Sequence, residues 1–199
     1  MFTGLIEAVG HVSALKPTVS GYELRVRTAL APELTVGESL AINGVCLTVM
    51  MVEGHDAHFD IGPETAKMTT LGSLRHDQAL NLERAMRADA RFGGHFVQGH
   101  VDGTGTIDEV REEGDAHWIT VRFPAALAPL LIRKGSITVD GVSLTVAGLD
   151  DRQFDVMIIP FTWAHTNLSS LRAGDRVNLE CDIVGKYIAR MAEVFARQP

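Results

Sequence analysis

The chain has 199 residues, of which 46% are hydrophobic, and a formal net charge of −7 at pH 7. The acidic balance disfavours a nucleic-acid partner, because phosphates are neutralised by a basic protein face. No apolar run is suited to span a bilayer, and the opening residues MFTGLIE lack the basic region of a secretory signal. Two cysteines, Cys46 and Cys181, predict no disulfide framework and a cytoplasmic location.

The first half of the chain is predicted to consist mainly of short strands. Gly21–Arg27 alternates apolar and charged residues, which is the pattern of a half-buried strand. A short helix is expected at Ala29–Leu34. Two apolar strands, Ser39–Ile42 and Val45–Met50, follow it and are joined by Asn43-Gly44, a turn pair that tolerates positive φ and favours a hairpin.

The second half repeats this pattern. The segment SLAINGVCLTV at Ser39–Val49 returns 97 positions later as SITVDGVSLTV at Ser136–Val146, again with a hairpin turn. Trp118–Phe123 is the matching strand and Pro124–Leu131 the matching helix. Other equivalent positions are Gly4 and Gly99, Glu7 and Asp102, Pro63 and Pro160, Thr65 and Thr162, and Asn81-Leu82-Glu83 and Asn178-Leu179-Glu180. A repeat of this length is too long for a solenoid unit and long enough for a small domain.

Short strands with frequent turns are typical of a Greek-key barrel. We therefore predict a mainly β fold of two tandem, internally repeated Greek-key barrels, in residues 1–92 and 93–185. The last segment, residues 186–199, is predicted to form a helix over Lys186–Arg197. Its apolar stripe consists of Tyr187, Ile188, Met191, Val194 and Phe195. This helix is expected either to cover the open end of its own barrel or to pack against copies from other chains.

Three differences between the repeats point to function: Cys46 corresponds to Ser143, Asn43 to Asp140, and Leu5 to His100. A free cysteine is often only a small buried hydrophobe. The serine at the equivalent position favours a polar role instead. Thr48 and Thr145, two residues further on, face the same side of their strands. Each barrel is thus expected to offer hydrogen-bonding groups to a polar ligand on one face.

The segment GGHFVQGHVDG at Gly93–Gly103 contains His95 and His100. An odd separation in a strand places the two imidazoles on opposite faces, and no metal-binding helix motif is present. A functional imidazole is therefore expected rather than a metal site, with a core or hydrogen-bonding role as the alternative. His100 is the better candidate, because it follows Gly99, the counterpart of Gly4.

Both repeats also contain a proline followed two residues later by a threonine. The motifs are DIGPET at Asp60–Thr65 and IPFTWA at Ile159–Ala164. Proline ends the preceding strand, and the threonine is expected either to cap the next helix or to donate to a ligand. The glycines of GTG at Gly103–Gly105 form no dinucleotide fingerprint, because no helix is predicted after them.

Together, MFTGLIE, NGVCLTV, GGHFVQGHVDG and DGVSLTV resemble the riboflavin synthase family, and the resemblance extends over essentially the whole chain. It implies two six-stranded barrels, a C-terminal helix and a homotrimer with sites between chains. Lumazine synthase is a further candidate partner. The implied reaction is a transferase-type dismutation, in which two molecules of 6,7-dimethyl-8-ribityllumazine exchange a four-carbon unit. Its products are riboflavin and 5-amino-6-(D-ribitylamino)uracil, and it uses no metal or redox cofactor.

The resemblance also implies two substrate sites. The residues of the first are Gly4, Leu5, Ile6, Ser39, Cys46, Leu47, Thr48, Asp60, Ile61, Gly62, Pro63, Glu64 and Thr65. Those of the second are Gly99, His100, Val101, Ser136, Ser143, Leu144, Thr145, Ile159, Pro160, Phe161, Thr162, Trp163 and Ala164, with Lys134 at the position of a lysine that the family shares across chains. The candidates for proton handling or nucleophilic assistance are Cys46 and His100, supported by Ser143, Asp140 and Asp182.

A reaction between two identical molecules explains a doubled chain. Two similar sites can hold both molecules face to face, and differences between the sites make one the donor and the other the acceptor. The main alternative is a non-catalytic lumazine- or flavin-binding protein of the same fold. Retention of Cys46, His100, Ser143 and both threonines favours the enzyme. A flavin-binding barrel of a reductase is disfavoured by the lack of a nicotinamide domain.

Overall fold

The computed structural model describes residues 1–196 and contains two closed barrels of six strands each. The strands of the first barrel are β1 (Ala8–Thr18), β2 (Gly21–Arg27), β3 (Ser39–Ile42), β4 (Val45–Glu53), β5 (Asp56–Ile61) and β6 (Ala79–Arg84). Their order around the barrel is β1-β2-β5-β4-β3-β6. The pairing of β2 with β5 and of β3 with β6 gives the Greek-key connections that the repeat predicted.

The second barrel repeats this arrangement. Its strands are β7 (Gly103–Glu113), β8 (Ala116–Arg122), β9 (Ser136–Val139), β10 (Val142–Leu149), β11 (Gln153–Ile158) and β12 (Arg176–Cys181). They close in the equivalent order, with β8 beside β11 and β9 beside β12. The predicted fold class is confirmed. The two predicted short helices are 3₁₀ helices, at Ala31–Glu33 and Ala125–Leu130.

Each barrel has its own apolar core, and the alternation of the strands decides which side chains enter it. In β4, Val45, Leu47 and Val49 are buried in the first core. Cys46 and Thr48 lie between them in sequence and therefore point to the outer surface of the barrel. The same alternation in β10 places Ser143 and Thr145 on the outer surface of the second barrel. Both candidate ligand sites are thus on the outside of the barrels.

The two barrels meet where their hairpin turns pack back to back. A Cβ atom on Gly44 would lie 2.8 Å from the backbone nitrogen of Gly141, and one on Gly141 would lie 2.7 Å from that of Gly44. Asn43 and Asp140, which precede these glycines, have φ of 46° and 45° and lie in the left-handed region. The Asn-Gly and Asp-Gly pairs are therefore required both by the turns and by the close approach of the two backbones.

A buried polar network surrounds this contact and follows the symmetry of the repeat. The Nδ2 group of Asn81 donates to the carbonyl oxygen of Asp140, and that of Asn178 donates to the carbonyl oxygen of Asn43, both at 2.9 Å. Asn167, which stands where the first repeat has Thr70, breaks the symmetry: its Nδ2 donates to Asp140 Oδ2 at 2.9 Å, and its Oδ1 accepts from Asn81 Nδ2 at 2.8 Å. Side chains of both repeats satisfy each other here, which fixes the relative orientation of the barrels.

Two short helices follow the proline motifs. They are α1 (Pro63–Met68) and α2 (Pro160–His165), and each begins with its proline, as expected for a residue without a backbone N–H. Thr65 and Thr162 lie inside these helices, so the capping role considered for them is wrong. The caps are Thr69 and Thr166, whose side chains accept hydrogen bonds from backbone N–H groups of the next 3₁₀ helices.

The last element is α3 (Ile183–Ala196), and the rest of the predicted helix, from Arg197, lies outside the described residues. None of its residues is buried. The apolar stripe is exposed, with Tyr187 at 69% and Ile188 at 63%. The helix therefore does not bury this stripe against its own barrel, and that alternative is wrong. Among residues 1–196, no helix has the length and apolar character needed to cross a membrane.

Candidate active sites

The two barrels exchange the segments that precede their first strands. The carbonyl oxygen of Gly99 accepts a 2.9 Å hydrogen bond from the backbone N–H of Cys46, which belongs to the first barrel. Reciprocally, the carbonyl oxygen of Gly4 accepts a 2.8 Å bond from the N–H of Ser143 in the second barrel. The segments cross at an antiparallel bridge between Phe2 and Val97.

Apolar packing agrees with this exchange, because Val101 packs against the first core and Ile6 against the second. We call the first group the cysteine site, which comprises Ser39, Cys46, Thr48, Gly99, His100 and Val101. We call the second group the serine site, which comprises Gly4, Leu5, Ile6, Ser136, Ser143 and Thr145. The expected grouping of each segment with its own repeat is therefore wrong. The exchange brings Cys46 and His100 to the same site.

Gly4 and Gly99 are glycines because of this close approach. Both have φ of 78°, and a Cβ atom on either would lie 2.6 Å from the Cβ of Ser143 or Cys46, respectively. Any side chain would push the crossing segment away from the strand. The next residue in each segment is exposed: Leu5 in the serine site and His100 in the cysteine site. The repeat thus presents a different side chain at the same place in each site.

His95 is a site residue whose contact the sequence did not predict. Its Nδ1 lies 2.7 Å from the hydroxyl oxygen of Ser143, and its Nε2 is buried with no hydrogen-bond partner among the described residues. Burial lowers the pKa of His95, although the charge of Asp182 opposes this effect. The imidazole is thus held neutral beside the serine.

The remaining candidates of the proline motifs lie near the ends of β5 and β11. Asp60, Gly62, Pro63 and Glu64 are exposed, whereas Thr65 is half-buried. In the second repeat, Ile159, Pro160, Phe161 and Ala164 are exposed, and Thr162 and Trp163 are half-buried. The side chains of Leu47 and Ile61 face the first core, and Leu144 packs against the second. Leu47 and Ile61 therefore cannot offer their side chains to a ligand on the outer surface.

Aromatic stacking distinguishes α2 from α1. The ring of Trp163 stacks on His117 with centroids 3.8 Å apart, and Phe161 stacks on His165 at 4.1 Å. Ala66 and Glu64 occupy the equivalent positions in α1. The surroundings of the two threonines are accordingly different in the two barrels.

The structure separates Asp140 from both sites. Its carboxylate is buried between the barrels and accepts hydrogen bonds from Asn178 and Asn167. Burial raises its pKa to about 6, despite these bonds, which act in the opposite direction. The residue that corresponds to it, Asn43, takes the equivalent place in the network. The contacts of Asp140 thus serve the orientation of the barrels.

The remaining candidates for chemistry and binding are Asp182 and Lys134. Asp182 accepts a 3.0 Å hydrogen bond from the backbone N–H of Val184 at the start of α3. Lys134 is exposed and adopts a left-handed φ of 69°. Burial raises the pKa of the Cys181 thiol to about 12, so this cysteine is not a nucleophile near neutral pH. Within residues 1–196, no cluster of three or more His, Cys, Asp or Glu side chains is arranged to hold a metal ion.

Comparison with known proteins gives a consistent picture. The lumazine binding domain model matches the chain twice, at residues 3–85 and 98–182. A riboflavin synthase from Actinobacillus pleuropneumoniae is 45% identical, with 94% of this chain and 88% of the relative covered. Another, from Mycobacterium bovis, is 46% identical, with coverages of 96% and 98%.

Solved structures show the same fold. The crystal structure of LumP complexed with riboflavin has a TM-score of 0.86 and 23% sequence identity, with 91% of this chain and 99% of that chain covered. LumP complexed with 6,7-dimethyl-8-(1'-D-ribityl) lumazine gives a TM-score of 0.83. Doubled barrels with two matched outer sites define the class, that of proteins with tandem lumazine-binding domains. Because its relatives match over nearly their full length, the chain belongs to the riboflavin synthase family.

Proposed function

We propose that the chain catalyses the dismutation of two molecules of 6,7-dimethyl-8-ribityllumazine. One molecule donates a four-carbon unit and leaves as 5-amino-6-(D-ribitylamino)uracil, and the other accepts the unit and becomes riboflavin. The atoms of two lumazines equal those of the two products. The overall reaction therefore balances without an external oxidant or reductant.

The observation that carries this proposal is the presence of two similar but unequal sites on one chain. Each presents a left-handed glycine, a small polar side chain and a threonine in the same geometry. The cysteine site has Cys46 and His100 where the serine site has Ser143 and Leu5. Similar sites suit two identical substrates, and unequal sites give the two molecules different fates.

We assign the proton handling to groups at both sites. At the cysteine site, the exposed imidazole of His100 exchanges protons with the lumazine, and Cys46 is the nearby nucleophile or hydrogen-bonding group. At the serine site, neutral His95 shares a hydrogen bond with the Ser143 hydroxyl through Nδ1 and so orients this hydroxyl towards the ligand. Thr48 and Thr145 donate to the ring system. Stacking of the two molecules supplies much of the rate through orientation.

The two sites of one chain lie on the outer surfaces of different barrels, so we propose that active sites form between chains. The exposed apolar stripe of α3 supports a homotrimer in which this helix packs against other copies. In this assembly the cysteine site of one chain faces the serine site of its neighbour. We further propose a cytoplasmic location, in keeping with two free cysteines, and lumazine synthase as a partner that supplies the substrate.

The test is to add purified protein to excess lumazine and to follow riboflavin by its absorbance and both products by chromatography. Catalysis predicts that the lumazine is consumed over many turnovers. Stoichiometric binding of lumazine that is recovered unchanged would support the non-catalytic alternative and contradict the proposal.

A further inference from the structure

Two buried glutamates hold the crossing segments. Glu83 is the second-last residue of β6, and Glu180 is the second-last residue of β12. Their exposed fractions are 5% and 1%. They occupy equivalent positions in the repeat. Burial raises the pKa of both carboxyl groups, while the hydrogen bonds they accept act in the opposite direction. A buried carboxylate is costly, so its hydrogen bonds indicate what it stabilises.

Among residues 1–196, the hydrogen bonds to the Glu180 carboxylate come from three consecutive backbone N–H groups. Oε1 accepts from Gln98 at 2.7 Å, and Oε2 accepts from Gly99 at 2.9 Å and from His100 at 3.0 Å. The N–H of the exposed candidate histidine is therefore bound directly to this carboxylate. Because Gly99 lies against Cys46, Glu180 of the second barrel shapes the site on the first barrel.

Glu83 makes a related but looser arrangement. It accepts from the N–H and the hydroxyl of Thr3, at 2.6 and 2.7 Å, and from the N–H of Gly4 at 2.9 Å. The N–H of Leu5 bonds to the hydroxyl of Thr3 instead, at 3.3 Å. Glu83 thus does not accept from the N–H of the exposed residue of the serine site, which bonds to Thr3 instead.

We infer that Glu180 is a positioning residue that acts on His100 across the barrel boundary, whereas Glu83 positions the serine site. The inference rests on the proposed function, because the two sites are taken as the lumazine sites. The geometry requires a carboxylate with two acceptor oxygens. An amide in its place has one acceptor and turns an N–H₂ group towards backbone donors.

The test is a double-mutant cycle in the full-length protein. Glu180→Gln is expected to lower kcat by at least about tenfold with little change in KM, since it displaces the imidazole rather than the binding surface. In a His100→Gln background the same change is expected to have less than about a threefold effect, because the group it acts through is gone. Glu83→Gln should change kcat by the same factor in the His100→Gln background as in the wild type. The exposed Glu109 provides the control Glu109→Gln, which is expected to leave kcat unchanged.

Hydrogen exchange gives a second readout that does not depend on turnover. Faster amide exchange at residues 98–100 in Glu180→Gln, with residues 3–5 unchanged, supports the inference. If the Gln variant does not fold, Glu180→Asp takes its place, because it retains the charge but moves it away from the backbone donors. Amide exchange at residues 98–100 is then expected to be faster than in the wild type. Equal losses of kcat for Glu180→Gln with and without His100, or unchanged exchange at 98–100, would overturn it. A wild-type protein that makes no riboflavin would refute the proposed function instead, and the exchange experiment would still decide the role of Glu180.

Discussion

The backbone N–H of Cys46 donates a 2.9 Å hydrogen bond to the carbonyl oxygen of Gly99, a residue of the other repeat. The equivalent bond joins Ser143 to Gly4 at 2.8 Å. Each candidate site is consequently made from both repeats, although the strands of each barrel come from one repeat only. A change in either repeat can therefore alter the site carried by the other.

The glycine of the cysteine site should not tolerate a side chain. Gly99→Ala places a Cβ 2.6 Å from the Cβ of Cys46 at a φ of 78°. We expect a loss of about 2–4 kcal/mol in the free energy of unfolding, from left-handed strain and overpacking together. The control is Gly54→Ala, with φ of 59° and no neighbour within 4 Å, which should cost about 1 kcal/mol. Urea unfolding at one protein concentration measures both, and equal costs would contradict the close contact.

The pair brought together at the cysteine site should matter for chemistry more than for binding. Cys46→Ser keeps the size and a polar atom but removes the thiol, and His100→Gln replaces an imidazole that can act as a general acid or base with an amide that cannot. Both variants are expected to bind lumazine and to lose turnover by more than about tenfold, or ~1.4 kcal/mol. Steady-state kinetics and fluorescence titration separate the two effects. Wild-type rates in both variants would mean that catalysis is mainly positional.

The threonines of the outer surfaces should act on affinity. Thr48→Val and Thr145→Val each remove one hydroxyl and keep the shape, so we expect lumazine binding to weaken by about 1 kcal/mol in the affected barrel. Equilibrium titration of each variant with lumazine gives the two dissociation constants. Unchanged constants would exclude these hydroxyls from the ligand contacts.

Asp140 should make stability depend on pH. Because burial raises its pKa to about 6 from 3.8, the folded protein keeps the proton to a higher pH than the unfolded chain. This contribution is full below 3.8 and is lost as the pH rises through about 6. Relative to Asp140→Asn, the wild type is therefore expected to lose about 3 kcal/mol over this range. Unfolding at several pH values measures the difference, with the exposed Asp151→Asn as control. A constant difference would contradict the shift.

The stripe of α3 should control assembly. Ile188 and Met191 are 63% and 57% exposed, so the double change Ile188→Glu and Met191→Glu should leave the barrels folded. We expect smaller species by light scattering and a large loss of turnover, because sites between chains cannot form. The control Arg190→Ala, on the polar face of α3, should change neither the size of the assembly nor the turnover. If the double variant is still a trimer, α3 is not part of the interface between chains.

The sequence predicted the barrels because their determinants are local. Alternating residues in Gly21–Arg27 and the Asn43-Gly44 and Asp140-Gly141 turns specify strands and hairpins with little help from distant residues. The repeat then supplied the number of barrels. The exchange of Gly4 and Gly99 was not predicted, since it depends on packing between the barrels. Their shared position was a signal, because a glycine in both copies indicates a close backbone approach.

The site was predicted less completely than the fold, for two physical reasons. His95 was not distinguished from a core histidine, because its contact with Ser143 joins positions that are 48 residues apart in the chain. Glu83 and Glu180 were visible in the repeat, but nothing local to their strands indicates that they bind the crossing segments. The difference between Asp140 and Asn43 belongs to the buried network between the barrels and not to a ligand site.

The most direct test of the account is the origin of the carbon atoms in riboflavin. Equal amounts of unlabelled lumazine and lumazine labelled in its four-carbon unit are converted by the protein, and the product is analysed by mass spectrometry. If two lumazines combine at facing sites, half of the riboflavin carries one labelled and one unlabelled unit, and one uracil product accompanies each riboflavin. Riboflavin without this mixed species, or lumazine recovered unchanged, would contradict the account.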